Sequence, residues 1–335
     1  MAKAVTLKDL GKQLGVDSSL VSRVLRNDPG VRVSREKRKQ IVALAEALGY
    51  RPNHIARSLR SRASRVLALV VPDVTNPFYS VLFRAVEIAA LAKGYTIILC
   101  NTDEQPARFD HLLDILGDRY VDGWLVATSR QSDSYIERLQ QLSAHFILIN
   151  RRSDFSDVAW IGPDDLASGG LAAHHLLELG HRRIAYVTAD LGIKSMRLRF
   201  DGFRAAFADH ASTFDERLLV QGGRTDARDI TAALLKAKDH ERPTAFFVSN
   251  SFALEGVWAA TRDAGLRIPQ DISLVAYNPM PDASFSGIRV PVEEIGRLGT
   301  ERLIAMVNQS NTATSNEVLQ VSFIDLGTTA PPPQR

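Results

Sequence analysis

The 335-residue sequence contains one cysteine. A single thiol excludes an internal disulfide framework and a thiolate metal cluster. Cys100 closes the apolar run Thr96-Ile97-Ile98-Leu99-Cys100, where a thiol packs as a small hydrophobe. No run of about 18 apolar residues occurs, so no membrane span is expected. The opening Met1-Ala2-Lys3-Ala4-Val5-Thr6-Leu7-Lys8-Asp9 lacks the apolar centre of an export signal, and the expectation is a soluble, cytoplasmic protein. Motifs that carry chemistry are also missing. There is no Gly-x-Gly-x-x-Gly, no phosphate loop ending in Gly-Lys-Ser/Thr and no Gly-x-Ser-x-Gly elbow. Ser168-Gly169-Gly170 is expected only to pack a helix closely. His174 and His175 are adjacent and so fall on different helix faces, whereas two ligands on one helix align at i, i+4. His181, in Gly180-His181-Arg182-Arg183, is expected to be a helix-end cation. No catalytic residue, metal site or cofactor is expected, and the Pro-rich end from Ala330 to Arg335 should fray.

What the chain does contain is unevenly distributed. Residues 1–65 carry 15 Lys and Arg against 5 Asp and Glu, and the remainder carries 26 against 33, so a basic fifth of the chain precedes an acidic remainder. Charge concentrated in this way suits a polyanion. A solvated tail would show the same charge without apolar periodicity, but this segment is periodic. Thr6 can cap a helix carrying Leu7, Leu10 and Leu14 that ends at Gly15. Asp17 can cap a second, with Leu20, Val21, Val24 and Leu25 as its apolar stripe. Ser34 can cap a third, with Ile41, Leu44, Ala45 and Leu48, stopped by Gly49. In a three-helix reader of this kind one helix fits the major groove, and residues near its N-terminus reach base edges. Ser18, Ser19, Ser22 and Arg23 occupy those positions.

The blocks Val5-Thr6-Leu7-Lys8-Asp9-Leu10, Val21-Ser22-Arg23-Val24-Leu25, Leu48-Gly49-Tyr50-Arg51-Pro52-Asn53 and Ala56-Arg57-Ser58-Leu59-Arg60 follow one another in the order of the LacI/GalR repressors, and the chain resembles that family. The resemblance implies that Ser18 and Ser19 read bases and that Ser22 and Arg23 contact bases or phosphates. Thr6, Asn53 and Ala56 complete the DNA-facing set. It also implies that Leu59, on a hinge helix, wedges between base steps in the minor groove. Ten hinge residues are too few to hold helicity alone, so the hinge is expected to order on DNA. The head departs from the pattern in three places. Gly11 stands for the usual Ala, at a helix-propensity cost of about 1 kcal/mol, Arg26 stands for the usual Asn, and the loop before the third helix is longer.

From Val66 onward, strand-like runs alternate with amphipathic stretches: Val66 to Val71, Thr96 to Cys100, Gly123 to Ala127 and Phe146 to Ile149. A second set follows at Arg183 to Val187, Leu218 to Gln221, Ala245 to Val248 and Ile272 to Ala276. Two Rossmann-like α/β lobes are expected. Val71-Pro72-Asp73-Val74-Thr75-Asn76-Pro77-Phe78, Leu179-Gly180-His181-Arg182-Arg183-Ile184-Ala185 and Ala264-Gly265-Leu266-Arg267-Ile268-Pro269 extend the resemblance to the family core and, through it, to periplasmic sugar-binding proteins. The implied organisation is a headpiece at 1–50, a hinge at 51–64 and a core at 65–335. Within the core, one lobe comprises 65–163 with 291–323 and the other 164–290 with 324–330, with crossings near Asp164, Val290 and Phe323.

The resemblance places a small-molecule effector between the lobes, against Asn76, Phe78, Arg199, Arg224, Asn250 and Asn278. Ser251 and Asn278 stand where the family commonly has Asp. Loss of acids beside Arg199 and Arg224 leads to the expectation of an acidic, sugar-derived effector. The implied protein is a homodimeric repressor on a pseudo-palindromic operator. An α/β enzyme and a sugar-binding transport component are the alternatives, and the basic head argues against the second.

Overall fold

The computed structural model describes residues 5–25, 28, 30–50, 63–128, 134–155, 157–222, 224–238, 240–279, 284–308 and 315–334. Asn53, Ala56 and Leu59 lie outside them. The chain divides into two compact units, Met1–Ser64 and Arg65–Arg335.

In the first unit α1 (Leu7–Leu14), α2 (Ser18–Leu25) and α3 (Arg35–Ala47) enclose Leu10, Val21, Val24, Val31, Ile41 and Ala45. Each helix begins at an oxygen that satisfies otherwise unpaired amides. Thr6 and Asp9 form a reciprocal capping box, Asp17 Oδ1 accepts from Ser19 N at 2.7 Å, and Ser34 Oγ accepts from Lys37 N at 3.2 Å. Gly11 is explained by packing and not by propensity. It is buried, and a Cβ there would lie 2.7 Å from the Val16 carbonyl oxygen, so glycine lets the turn between α1 and α2 close tightly.

The second unit contains two parallel sheets, each with one antiparallel or late-arriving edge. The strands of the first lobe are β1 (Val66–Val71), β2 (Thr96–Asn101), β3 (Gly123–Val126), β4 (Phe146–Ile149) and β5 (Trp160–Pro163). Those of the second are β6 (Ile184–Thr188), β7 (Leu219–Gln221), β8 (Ala245–Val248), β9 (Ser273–Tyr277) and β10 (Gly287–Arg289). The chain then returns to give β11 (Glu317–Leu319) to the first sheet and β12 (Ser322–Ile324) to the second. The sheet orders are β11-β5-β4-β3-β1-β2 and β12-β10-β9-β8-β6-β7. Helices cover both faces, which is why β1 reads as an unbroken apolar run: Leu67, Leu69 and Val71 face one core, and Ala68 and Val70 the other. Cys100 is buried in that second core, where burial pushes its thiol up to about 11 and leaves it unreactive.

Helices α4 (Pro77–Ala92) and α11 (Val292–Val307) pack together on the first lobe. Helices α7 (Asp165–Glu178) and α8 (Lys194–Asp209) pack on the second. The remaining described helices are α5 (Pro106–Tyr120), α6 (Ser134–Gln141), α9 (Arg224–Leu235) and α10 (Ser251–Asp263). The chain leaves the first sheet after Pro163, leaves the second after Arg289, and crosses for the third time between Leu319 and Ser322. Phe323, placed at the third crossing by the sequence, already belongs to the second sheet, paired with Ile288 and stacked on His175 at 4.1 Å.

Two expectations are corrected. His181 is not a helix-end cation. It is 1% exposed, its Nδ1 lies 2.8 Å from Thr244 Oγ1, and its Nε2 lies 2.9 Å from the Ala330 carbonyl oxygen. Burial lowers its pKa to about 4, so the ring is neutral and Nε2 carries the proton. The C-terminal segment does not fray where it begins, because the same contact anchors Ala330, whose N also donates to Ser273 Oγ at 3.0 Å.

Candidate functional sites

On the head, Ser18 and Ser19 open α2, with Ser19 exposed and Ser18 half-buried, and Ser22 and Arg23 follow on the same helix. The apolar stripe of α2 is buried against α1 and α3, which leaves Ser19 and Arg23 facing solvent. Arg23 Nε donates to Asp28 Oδ2 at 2.9 Å. Thr6 is held in its capping box, where Oγ1 donates to Asp9 Oδ2 at 2.7 Å.

In the core, a cavity of about 50 Å³ lies between the lobes at the carboxyl ends of the strands. Asn76, Phe78 and Tyr79 reach it from the start of α4, and Asn150 and Arg151 from the end of β4. Ser195, Met196 and Arg199 come from α8, Ser249, Asn250 and Ser251 from the end of β8, and Tyr277 from the end of β9. The positions follow from local structure. Asn76 caps α4 through Phe78 N at 3.0 Å, and Asn250 caps α10 through Ala253 N at 3.0 Å, so each helix start presents an amide group to the cavity.

Arg199 is placed by a close helix crossing. A Cβ on Gly169 would lie 1.8 Å from the Arg199 carbonyl oxygen, and one on Gly202 would lie 1.9 Å from that of Leu166. Only glycine permits that approach, which brings the start of α7 against the middle of α8. The buried Arg199 Nη2 thereby donates to the buried Asp165 Oδ1 at 2.7 Å. Its Nη1 donates to the Ser249 carbonyl oxygen, and its guanidinium lies 3.4 Å from the centroid of the Tyr277 ring. Burial opposes the charge on Arg199, but Tyr277 and Asp165 outweigh it and its pKa lies above the ordinary arginine range. Burial pushes the Asp165 carboxyl up, against the pull of Arg199. Across the cavity Arg151 Nη1 donates to Glu104 Oε1 at 2.8 Å. The two arginines that line the cavity are therefore each paired with an acid, Asp165 and Glu104, that lies behind its lining.

Several buried valences in this wall have no hydrogen-bond partner among the described residues: Arg199 Nε, Asn250 Nδ2 and Tyr277 OH. Each such group costs about 1–3 kcal/mol when left unpaired, so together they form a strong demand for a ligand rich in donors and acceptors.

The structure brings Asn76, Phe78, Arg199 and Asn250 together. Asn278 is not among the residues lining the cavity. Its backbone is left-handed at φ 47°, and its Oδ1 accepts from Val290 N at 3.2 Å, bracing the second crossing. Arg224 begins α9, and its side chain lies outside the described part of the structure. Sequence reasoning missed Tyr277, one residue before the chosen Asn278, and Asp165, whose place after Asp164 reads as ordinary N-terminal helix chemistry. Asp165 also means that Arg199 does not stand without an acid beside it.

Residues 6–53 match the model for bacterial regulatory proteins of the lacI family, and residues 173–329 match that for a periplasmic binding protein-like domain. The ribose operon repressor of Escherichia coli K12 is 31% identical over 310 residues, covering 91% of this chain and 93% of the relative. The chain belongs to the LacI family. The regulator is also similar to the PurR repressor of Edwardsiella ictaluri, at 29% identity over 89% of each chain. Among solved structures, the lac repressor dimer bound to operator and an anti-inducer matches 98% of this chain and 100% of its own, with a TM-score of 0.84 at 23% identity. A LacI-family regulator from Enterococcus faecium with bound ribose matches 79% of this chain and 99% of its own, with a TM-score of 0.68 at 27% identity. The regulator is thus a sequence-specific DNA-binding protein under small-molecule control. Its relatives are transcriptional repressors, not enzymes. Among the described residues no helix is long and apolar enough to cross a membrane.

Proposed function

We propose that the regulator is a repressor without catalytic turnover. It binds a pseudo-palindromic operator as a homodimer, and a neutral, polyhydroxylated ligand of pentose size sets its affinity from the interlobe cavity. The observation that carries the ligand class is the pairing of Arg199 with Asp165 and of Arg151 with Glu104. A cavity whose charges already cancel gains little from an anion. Its unpaired Arg199 Nε, Asn250 Nδ2 and Tyr277 OH suit the hydroxyls of a sugar. Phe78 and Tyr79, packed edge to face at 5.2 Å, supply an apolar wall for the face of a sugar ring. The ribose operon repressor and the ribose-bound regulator support a pentose.

At about 50 Å³ the space is well below the volume of ordinary ligand sites, so the ligand enters with the lobes apart and is enclosed as they close. Coupling then follows from linkage: a ligand that prefers one lobe arrangement shifts operator affinity by its differential binding. On DNA, Ser18 and Ser19 read bases, Ser22 and Arg23 contact bases or phosphates, Thr6 belongs to the same DNA-facing set, and Asn53, Ala56 and Leu59 belong to a hinge that meets the minor groove. One head contacts too few base pairs for specificity across a genome, which favours the two-fold assembly.

Isothermal titration of the full chain with ribose, ribose 5-phosphate and ribonate tests the ligand class. Ribose is expected to bind at least ten-fold more tightly than either acid. Preference for an acid would remove the charge-balance argument.

A further inference from the structure

Arg23 does not end in free solvent. Its Nε donates to Asp28 Oδ2 at 2.9 Å, and the same carboxylate is fixed from its other side, where Oδ1 accepts from Gly30 N at 2.8 Å. The loop that carries it is tied back twice. Asp28 N donates to the Arg23 carbonyl oxygen at 3.1 Å, and Val31 N donates to the Asp28 carbonyl oxygen at 3.2 Å, with the Val31 side chain buried in the head core. Gly30 packs against the pair, since a Cβ there would lie 3.2 Å from Asp28 Oδ1 and 3.4 Å from Arg23 Nη2.

As a contribution to stability this pair counts for little. Both side chains are partly exposed, and exposed ion pairs contribute little to stability. As a feature of a DNA-binding surface it is unfavourable, because a carboxylate in a segment rich in Lys and Arg repels phosphates. A core-anchored acid at such a place is explained by what it does to the arginine. A free arginine side chain carries considerable rotamer entropy, part of which is lost when it docks on a base. A carboxylate on Nε removes part of that loss in advance without engaging Nη1 or Nη2, on a side chain that is 45% exposed. That planar pair of donors matches guanine O6 and N7 in the major groove.

We propose that Asp28 is a positioning residue for base readout, holding Arg23 by Nε so that its far edge meets a guanine. The proposal rests on the reading that α2 enters the major groove. Asp28→Asn is the informative variant. The amide keeps an oxygen for Gly30 N, so the loop is retained, and the change removes one negative charge beside DNA.

A duplex is first selected from a random library by the unaltered full-length protein. Binding to that duplex, and to a shuffled duplex of the same composition, is then followed by fluorescence anisotropy. For Asp28→Asn the shuffled duplex is expected to bind equally or about two-fold more tightly, and the selected duplex about five-fold more weakly. The specificity ratio thus falls about five- to ten-fold. Repeating the selection with the variant should relax one guanine per half-site, the same one relaxed by Arg23→Ala. If both duplexes tighten in proportion and the ratio is unchanged, Asp28 is only a loop acid and the proposal fails. If Arg23→Ala itself leaves the ratio unchanged, the failure lies earlier, in the reading that Arg23 contacts bases, and the proposal falls with it.

Discussion

His181 shows how one buried residue can set the pH range of a fold. Its neutral ring joins Thr244 at the start of β8 to Ala330 near the chain end, and a proton added to the ring would have no acceptor at Nδ1 other than a hydroxyl. The folded pKa of about 4 lies below the ordinary histidine value of 6.5, so between these limits the unfolded chain binds a proton that the folded chain does not. Stability from this residue is fully present above pH 6.5 and is lost as pH falls toward 4. The total is about 3 kcal/mol at about 1.4 kcal/mol per unit. Thermal melting between pH 7 and pH 4.5 should show this fall. In His181→Gln the slope over that window should be shallower, and an identical slope in both proteins would show that the ring does not titrate as argued.

At the same scale, the sequence was informative for some cleft residues and not for others. Arg199 was legible because Arg199-Phe200-Asp201-Gly202-Phe203 matches a family motif. Asp165 was not, because its role depends on a helix crossing that no local pattern records. Asn278 was chosen as a strand-end asparagine, and only the register of β9 makes Tyr277 the residue that turns inward.

At the scale of elements, the long apolar strands were readable from buried runs, whereas β5, β10 and β11 were not. These are three or four residues long, with Gly162 and Pro163 in one and Gly287 in another, and their pairing comes from tertiary contact. The pair Gly169-Gly170 was read as a close-packing element, and the geometry separates its two members. A Cβ on Gly169 would overlap backbone at 1.8 Å, while one on Gly170 would meet only the Gly202 carbonyl oxygen at 3.7 Å, an ordinary contact. Gly169→Ala should therefore force α7 from α8, costing about 3 kcal/mol or more and lowering the melting temperature by several degrees, with loss of ribose binding as Asp165 and Arg199 part. Gly170→Ala should melt within a degree of the parent. Equal tolerance of both substitutions in calorimetric melts would show that the crossing is looser than described.

At the scale of the whole molecule, the partition of charge into a basic head and an acidic core was the clearest signal in the sequence, and it coincides with the division into two compact units. What it could not reveal is how the lobes engage each other. Outside the cavity, Lys194 on the second lobe donates to Asp154 Oδ1 of the first at 2.8 Å and to the Ser153 carbonyl oxygen at 3.1 Å, with Arg197 3.4 Å from Asp154 Oδ2. The Lys194 hydrogen bond holds the Asp154 carboxyl below its ordinary range. The group is partly exposed, so it is worth well under the energy of the buried Arg199 pair, about 0.5 kcal/mol. Asp154→Ala should then weaken ribose binding only about two- to three-fold and leave the melting temperature nearly unchanged. A loss of more than ten-fold in titration would make this clasp, and not the cavity, the main determinant of closure.

Operator affinity measured by anisotropy on the selected duplex, with and without saturating ribose, tests the coupling of head and core most directly. The account predicts that ribose changes the dissociation constant by at least five-fold, that ribose 5-phosphate at the same concentration does not, and that operator changes ribose affinity by the same factor. Identical operator binding under all three conditions, in protein shown by titration to have bound ribose, would contradict it.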